Sequence, residues 1–259
     1  MAEKVFSKEW SDWILENIAR GCSLEDIYTI LYRQGFKKSD IEVALNFSPN
    51  IDTIAKLGSD TPKEKLIKSN VELFKKTHSK VPMYTKNGFL KKQLNVKDLD
   101  LAMAFYKKNF KNAKKEVVAG NFVKNKDEGK QPSVTIDLPD DIKDKIHHLL
   151  LHDLETWSGI KLFPTYVYGI RVYQEGAILT PHRDREQTHI IGTIINIDQK
   201  VKKDWYLEIE DHSRKKHKVA LFPGEVLFYE SATLLHGRPE PLQGEYFSNI
   251  FCHYMPKMA

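Results

Sequence analysis

Apolar positions change their spacing near residue 164, and that change divides the chain into two kinds of structure. In the first part they recur every three to four residues, the repeat of a helix with one buried face. Trp10, Trp13, Ile14 and Ile18 mark one side of a first helix, with Ser7 as its N-cap and Gly21 as its stop. Ser23 caps a second helix that carries Ile27, Ile30 and Leu31 and ends at Gly35. Ser39 and Glu42 have capping-box spacing ahead of a third with Ile41, Ala44 and Leu45. Turn formers across 48–62 read as a linker. Residues 63–78 and 97–117 then read as helices, the second with Leu99, Met103 and Phe110 near one face and lysines opposite. Residues 121–133 are polar and breaker-rich and predict an exposed loop, and 140–159 predicts a helix ending at Gly159.

Beyond residue 164 the runs are short and rich in Val, Ile, Tyr, Phe and Leu, separated by Gly, Pro and charged turns: TYVYGIRVY, HIIGTIINI, WYLEIED, HKVALF, EVLFYES, LLHGRP and YFSNIFCHY. Strands at this spacing predict an antiparallel sandwich or jelly roll. Helices before and strands after give an α+β chain, with the long helices backing one sheet.

Composition narrows the possibilities. The chain has 259 residues, 41% hydrophobic and 29% charged, ordinary for a globular protein. No run approaches the roughly 20 apolar residues of a membrane span. The opening MAEKVFSKEW lacks the apolar core of a signal peptide, so the expected compartment is the cytoplasm and no membrane partner is expected. Cys22 and Cys252 are far apart and neither belongs to a CxxC pair, which argues against a disulfide framework and a structural zinc site. The net charge of +5 comes largely from the lysines around KKNFKNAKKE. No aromatic interleaving or nucleic-acid-binding module accompanies them, so a solvated helix face is expected rather than a nucleic-acid partner.

The chemistry concentrates in TPHRDREQTHIIG and, much later, in YESATLLHGRP. On a strand His182 and Asp184 share a face, because side chains alternate with period two. His236 on a neighbouring strand completes a set of two imidazoles and one carboxylate, the facial triad of non-haem Fe(II) oxygenases. Such a set leaves three positions open, two for a 2-oxo acid and one for dioxygen. His147, His148 and His152 on the 140–159 helix suggest no third ligand and are expected at the surface. His212 and His217 fall in a charged hairpin and are expected to be exposed, and His253 to be structural.

The run VYGIRVYQEGAILTPHRD, followed by PGEVLFYESATLLHGRPEPLQGEYFSNIFCHY, resembles the prolyl 4-hydroxylase-like 2-oxoglutarate/Fe(II)-dependent oxygenases over about residues 160–256. The resemblance implies a double-stranded β-helix, Fe(II), 2-oxoglutarate as co-substrate with O2, and hydroxylation as the default reaction. His182, Asp184 and His236 are then the metal ligands and catalytic centre. Those enzymes place a Lys or Arg beyond the distal histidine to bind the far carboxylate of 2-oxoglutarate. Here those positions hold Glu245, Tyr246 and Phe247. Arg238, on the face of His236, is the first choice for the missing cation, with Arg171 as the backup. The resemblance also makes Tyr173 a co-substrate contact. Thr193, Asn196, His189 and Asn249 either line the same pocket or are satisfied core groups. Arg183 and Arg185 either flank the substrate entrance, with His189, or pair with Glu186 on the surface.

The stretch IYTILYRQGFKKSDIEVAL is similar to ubiquitin-associated-type three-helix bundles, through Gly35-Phe36 and Ala44-Leu45. Residues 1–50 are thus expected to be a helical bundle, either a generic addition or a protein-docking module. Residues 51–78 form a linker and helix, and 79–259 the oxygenase domain. The expected substrate is an amino-acid side chain, proline by default, in a protein or peptide. The alternatives are a free amino acid or small metabolite, or a non-catalytic β-helix binding protein.

Overall fold

The computed structural model describes residues 6–49 and 60–258. Three short helices, α1 (Lys8–Ala19), α2 (Leu24–Arg33) and α3 (Lys38–Leu45), enclose a core of their own around Trp13, Tyr28, Leu31 and Ile41. Ser7 and Ser23 cap the first two as expected, each accepting a bond from a backbone N–H three residues on. The third departs from expectation. Its N-cap is Lys37, and Ser39 turns its hydroxyl to Asp40 instead of forming the capping box with Glu42. Ile18 is 40% exposed, whereas Asn17 is buried and donates to the carbonyl of Trp13. Most of the expected linker, residues 50–59, lies outside the described residues.

Three longer helices follow: α4 (Pro62–Thr77), α5 (Val96–Asn109) and α6 (Asp140–Ser158). A reciprocal Thr61–Glu64 capping box with Pro62 at the first turn fixes the start of α4. Gly159, at φ +72°, ends α6 in the left-handed conformation that a Cβ disfavours.

Twelve strands are described: β1 (Phe89–Gln93), β2 (Lys114–Lys115), β3 (Val123–Asn125), β4 (Ser133–Ile136), β5 (Leu162–Gln174), β6 (Ala177–His182), β7 (Ile191–Val201), β8 (Leu207–Glu210), β9 (Lys216–Val219), β10 (Glu225–Tyr229), β11 (His236–Arg238) and β12 (Gly244–Pro256). They form two antiparallel sheets, ordered β1-β10-β7-β12-β5-β4-β2 and β3-β6-β11-β8-β9. This is the expected jelly roll backed by helices, with one correction to the division at residue 164. Four strands, β1 to β4, come from the helical half. They were hidden because two were read as the end of a helix (Lys114–Lys115) and as loop (Val123–Asn125). Short edge strands carry too few residues to show an alternation.

The larger sheet has two distinct faces. One packs on the helices, placing Ile170, Val172, Ile195, Ile250 and Tyr254 in one cluster with Leu99 of α5 and Leu150 and Leu154 of α6. The other face looks across at the smaller sheet, and Tyr173, Ile194, Phe247, Trp205 and Leu207 fill the space between them. Strand β5 changes register against β12: Ile250 pairs with Ile170, but Cys252 pairs with Val167. Two steps on β12 match three on β5, so β5 carries one extra residue there. Gly169 takes up the bulge at φ +103°, where an added Cβ would lie 2.7 Å from the Ile136 carbonyl oxygen. The bulge turns Tyr168 and Arg171, an odd three residues apart, to the same inner face.

Candidate metal centre and adjoining anion pocket

His182 ends β6 and His236 opens β11, and the two are direct partners in the antiparallel pair. Their rings lie 4.6 Å apart. Each ring is oriented by the backbone two residues earlier. His182 Nδ1 lies 2.8 Å from the Thr180 carbonyl and His236 Nδ1 3.0 Å from that of Leu234. Those contacts fix Nδ1 as the protonated nitrogen and leave each Nε2 as a free lone pair, the arrangement that metal-binding histidines require. Asp184 lies two residues past the strand end, a small correction to the expected His-x-Asp strand. Its backbone N–H is held by the Ser231 carbonyl at 2.9 Å. Oδ1 of Asp184 then lies 3.5 Å from His182 Nε2 and 3.9 Å from His236 Nε2. The three ligand atoms all fall within 4.8 Å of one another, and no other such group of His, Cys, Asp or Glu occurs among the described residues.

The electrostatics suit a divalent ion. Burial disfavours the charged form of His236 and brings its pKa down to about 4, so it stays neutral and able to ligate. Burial also opposes ionisation of Asp184. The imidazoles that face it, His182 first, outweigh that and hold its carboxyl well below the usual carboxylate range. The other oxygen, Oδ2, faces the Tyr229 hydroxyl at 3.5 Å and His253 Nδ1 at 3.8 Å. One carboxylate oxygen is thus presented to the histidines and the other is retained by the protein. Two imidazoles and one carboxylate converging in this way fit a first-row metal of the facial-triad type.

Beside the triad, a cation is sealed in without an anion. Arg238 is 1% exposed. Its guanidinium lies between the rings of Trp205 and Phe247, at 4.7 and 4.6 Å, and Nη1 donates to the Trp205 carbonyl. Nη2 has no partner, and no carboxylate pairs with Arg238 among the described residues. Burial alone draws its pKa down to about 10. A buried guanidinium with a free donor is costly unless an anion meets it. The expected alternative, a turn contact with Glu240, is not what holds it; Trp205 Nε1 takes the Glu240 carbonyl instead.

The other predicted residues separate cleanly. Arg171 is already neutralised, donating through Nε to both oxygens of Glu116 at 2.9 and 2.8 Å, with Nη1 on the Tyr173 hydroxyl at 3.3 Å. Tyr173 is fully buried on the inner face. Asn249 pairs in register with Arg171 and accepts from Asn196 at 3.0 Å; Asn249 Nδ2 and Asn196 Oδ1 have no partner. Thr193 is the exception. Its pairing partners, Phe228 on β10 and Cys252 on β12, both belong to the helix-side core. It faces away from the triad. His189 is buried, its ring 3.9 Å from that of His253 and tilted against it, and it is bonded to the Tyr168 hydroxyl at 2.9 Å. Arg183 and Arg185 are exposed on the loop around Asp184, and neither pairs with Glu186 among the described residues. Arg183 is pinned by its Nε to the Thr233 carbonyl at 2.8 Å.

Three histidine expectations are revised. His147 is 1% exposed and lies 3.3 Å from the Tyr166 carbonyl, while its neighbours His148 and His152 are at the surface as expected. His212 is half-buried and bonded to the buried carboxylate of Glu230 at 3.1 Å. His217, also expected to be exposed, is half-buried and bonded to Asp211 Oδ2 at 2.7 Å. His253, expected to be structural, is buried with Nδ1 3.8 Å from Asp184 Oδ2. Sequence reading missed Glu116, Trp205 and Phe122 altogether. The ring of Phe122 lies 4.8 Å from that of His182 and is 40% exposed. Only contacts far apart in sequence bring these three to the pocket.

No protein-family profile and no curated protein matches the chain. Among solved structures it is similar to a prolyl hydroxylase from Trichoplax adhaerens, solved with a peptide fragment of the hypoxia inducible factor oxygen degradation domain. That likeness has a TM-score of 0.51 at 11% identity, covering 81% of this chain and 94% of the other. It is also similar to a Pseudomonas putida prolyl-4-hydroxylase (TM-score 0.45, 13% identity, 74% and 100% covered). A third is a 2OG-Fe(II) oxygenase-family oxidoreductase from Burkholderia pseudomallei (TM-score 0.46, 10% identity, 73% and 89% covered). The first of these likenesses establishes the jelly-roll fold for this chain.

Proposed function

We propose that the protein is an Fe(II)- and 2-oxoglutarate-dependent dioxygenase that hydroxylates an amino-acid side chain, proline by analogy, in a protein or peptide. One observation carries the reading. Two free Nε2 atoms and one Oδ1 converge beside Arg238, a buried cation lacking a carboxylate. A metal together with a small dianion satisfies both at once.

His182, Asp184 and His236 would hold the iron. When bound, Fe(II) with 2-oxoglutarate and dioxygen supplies the oxidising power to hydroxylate an unactivated C–H bond, releasing succinate and carbon dioxide. Arg238 anchors the far carboxylate of the co-substrate, where two guanidinium donors can meet two oxygens. Tyr173, Asn196 and Asn249 supply hydroxyl and amide groups on the same inner face, and the surrounding Trp205 and Phe247 rings exclude water from the ion pair. At the mouth, the exposed rings of Phe122 and Tyr168 and the exposed Arg183 and Arg185 offer apolar and cationic contacts to an extended chain. The Trichoplax enzyme's peptide complex supports a peptide as the class of substrate.

The test is succinate release from 2-oxoglutarate in the presence of Fe(II). The unaltered chain is expected to turn over slowly even without a prime substrate, and His182→Ala to abolish turnover. Absence of both turnover and 2-oxoglutarate binding in the unaltered chain would overturn the reading.

A further inference from the structure

The N-terminal bundle and the pocket meet on one stretch of chain, residues 113–122, between α5 and β3. Its groups face in different directions. Val117 packs into the core of the bundle, and Val118 packs against the interior of the jelly roll. The Val118 carbonyl accepts a bond from Nε1 of Trp13 at 2.7 Å, across 105 residues of sequence. Cys22 Sγ lies 3.8 Å from the Glu116 carbonyl, which also accepts from Gln131 at 3.1 Å. The Glu116 side chain turns the other way. Both its oxygens take the Arg171 guanidinium, and Ser133 Oγ donates to one of them at 2.7 Å. Arg171 in turn lies over the rings of Tyr173 and Phe251, at 5.6 and 5.1 Å. At the end of the segment the Phe122 carbonyl accepts from the Thr180 N–H at 2.7 Å, and its ring covers His182.

Trp13 is 2% exposed, and its indole N–H has this single partner outside the bundle. The bundle's own packing does not require that bond. What the bond does is hold Val118, two residues from the carboxylate that fixes Arg171 and four from the ring on His182. We propose that residues 113–122 are the means by which the N-terminal bundle sets the geometry of the co-substrate pocket, with Trp13 and Glu116 as positioning residues. The inference rests on the 2-oxoglutarate site proposed above. Coupling of this kind is reciprocal: if the bundle orders the pocket, filling the pocket orders the bundle.

The experiment uses the full chain with Mn(II) in place of iron, so that 2-oxoglutarate binds without turnover. Hydrogen exchange on the unaltered protein is expected to slow in α1 and in 113–122 when 2-oxoglutarate is added. Trp13→Phe keeps an aromatic ring but loses the donor, and is expected to raise the 2-oxoglutarate Kd roughly threefold to tenfold, the worth of one lost buried hydrogen bond. Its Mn(II) Kd should stay within about twofold. Ile14→Val loosens the same helix core without touching the tether and should leave the 2-oxoglutarate Kd unchanged. Protection confined to the jelly roll overturns the proposal, as does an equal rise in Kd for Ile14→Val. If the unaltered chain binds no 2-oxoglutarate, the oxygenase reading fails and takes this inference with it. Binding without coupling overturns this inference alone.

Discussion

The two faces of the seven-stranded sheet use the same strands for opposite purposes. On the helix side, alternate residues of β5, β7 and β12 are apolar and interlock with α5 and α6. On the inner side, Arg171, Asn196, Asn249 and His253 stand among Tyr173, Ile194, Phe247 and Phe251, and one polar atom each of Asn196, Asn249 and His253 has no partner. Unsatisfied polar groups in a buried site cost stability, so a fold retains them where a ligand can complete them. Partnerless polar atoms occur on the helix side too, at Thr193 Oγ1 and His147 Nδ1, so their presence alone does not separate the faces. The inner side differs in carrying a buried guanidinium without a carboxylate, and that is where the proposed co-substrate would meet the protein.

The largest effect that separates the two faces is expected at Arg238. Arg238→Ala removes a buried cation that no carboxylate pairs with among the described residues. The 2-oxoglutarate KM should rise by about two orders of magnitude, as for a lost charge-assisted anchor worth roughly 3 kcal/mol. The unliganded protein should lose little stability, because an unpaired buried charge leaves with the side chain. Titrating 2-oxoglutarate against succinate release, alongside thermal unfolding, checks both halves. An unchanged KM would transfer the anchor to Arg171, which would then have to leave Glu116.

A second test lies on the helix-facing side. Burial, reinforced by Lys63, keeps His147 neutral and lowers its pKa to about 4. In the unfolded chain the group returns to about 6.5 and binds its proton more readily. Its contribution to stability is therefore present above about pH 6.5 and is lost as the pH falls towards 4. His189 and His236, on the inner side, add to the same trend in the metal-free protein. Denaturant unfolding at pH 7 and pH 4.5 should show His147→Gln losing less stability on acidification than the unaltered chain, by on the order of 2 kcal/mol. Equal losses would mean that His147 is protonated in the folded state.

What the sequence revealed follows the range of the contacts involved. Two members of the triad were legible because their geometry is local, and His236 through the resemblance of the run that carries it. His182 and Asp184 are two residues apart, and each ligand histidine is oriented by the carbonyl two residues before it. Seven of the strands were legible as short runs rich in Val, Ile, Tyr, Phe and Leu between Gly, Pro and charged turns. The setting of Arg238 was not, because Trp205 and Phe247 reach it from other strands. Nor was Glu116, which comes from a segment that reads as the tail of a lysine-rich helix. The bulge at Gly169 was equally hidden, since counting by twos from Arg171 puts Tyr168 on the wrong face.

The smallest expected effect is the one that tests the two-face description most directly. From the sequence Thr193 and Asn196 either line the same pocket or are satisfied core groups, but an odd spacing of three on one strand sends them to opposite sides. Through Ile194 and Ile195 the alternation is uninterrupted, with Ile194 in the inner cluster and Ile195 in the helix-side cluster. Thr193 accordingly falls on the helix side, where its hydroxyl is buried without a protein hydrogen-bond partner for Oγ1 among those described. Thr193→Val keeps the shape and removes only that hydroxyl, so the 2-oxoglutarate KM should change by less than about twofold and stability should hold or rise slightly. Asn196→Leu, a similar loss of polarity three residues away, removes the partner of Asn249 and should raise the same KM roughly tenfold. If the two substitutions behaved alike, the sheet would not divide its labour between faces, and the pocket would have to be drawn around both.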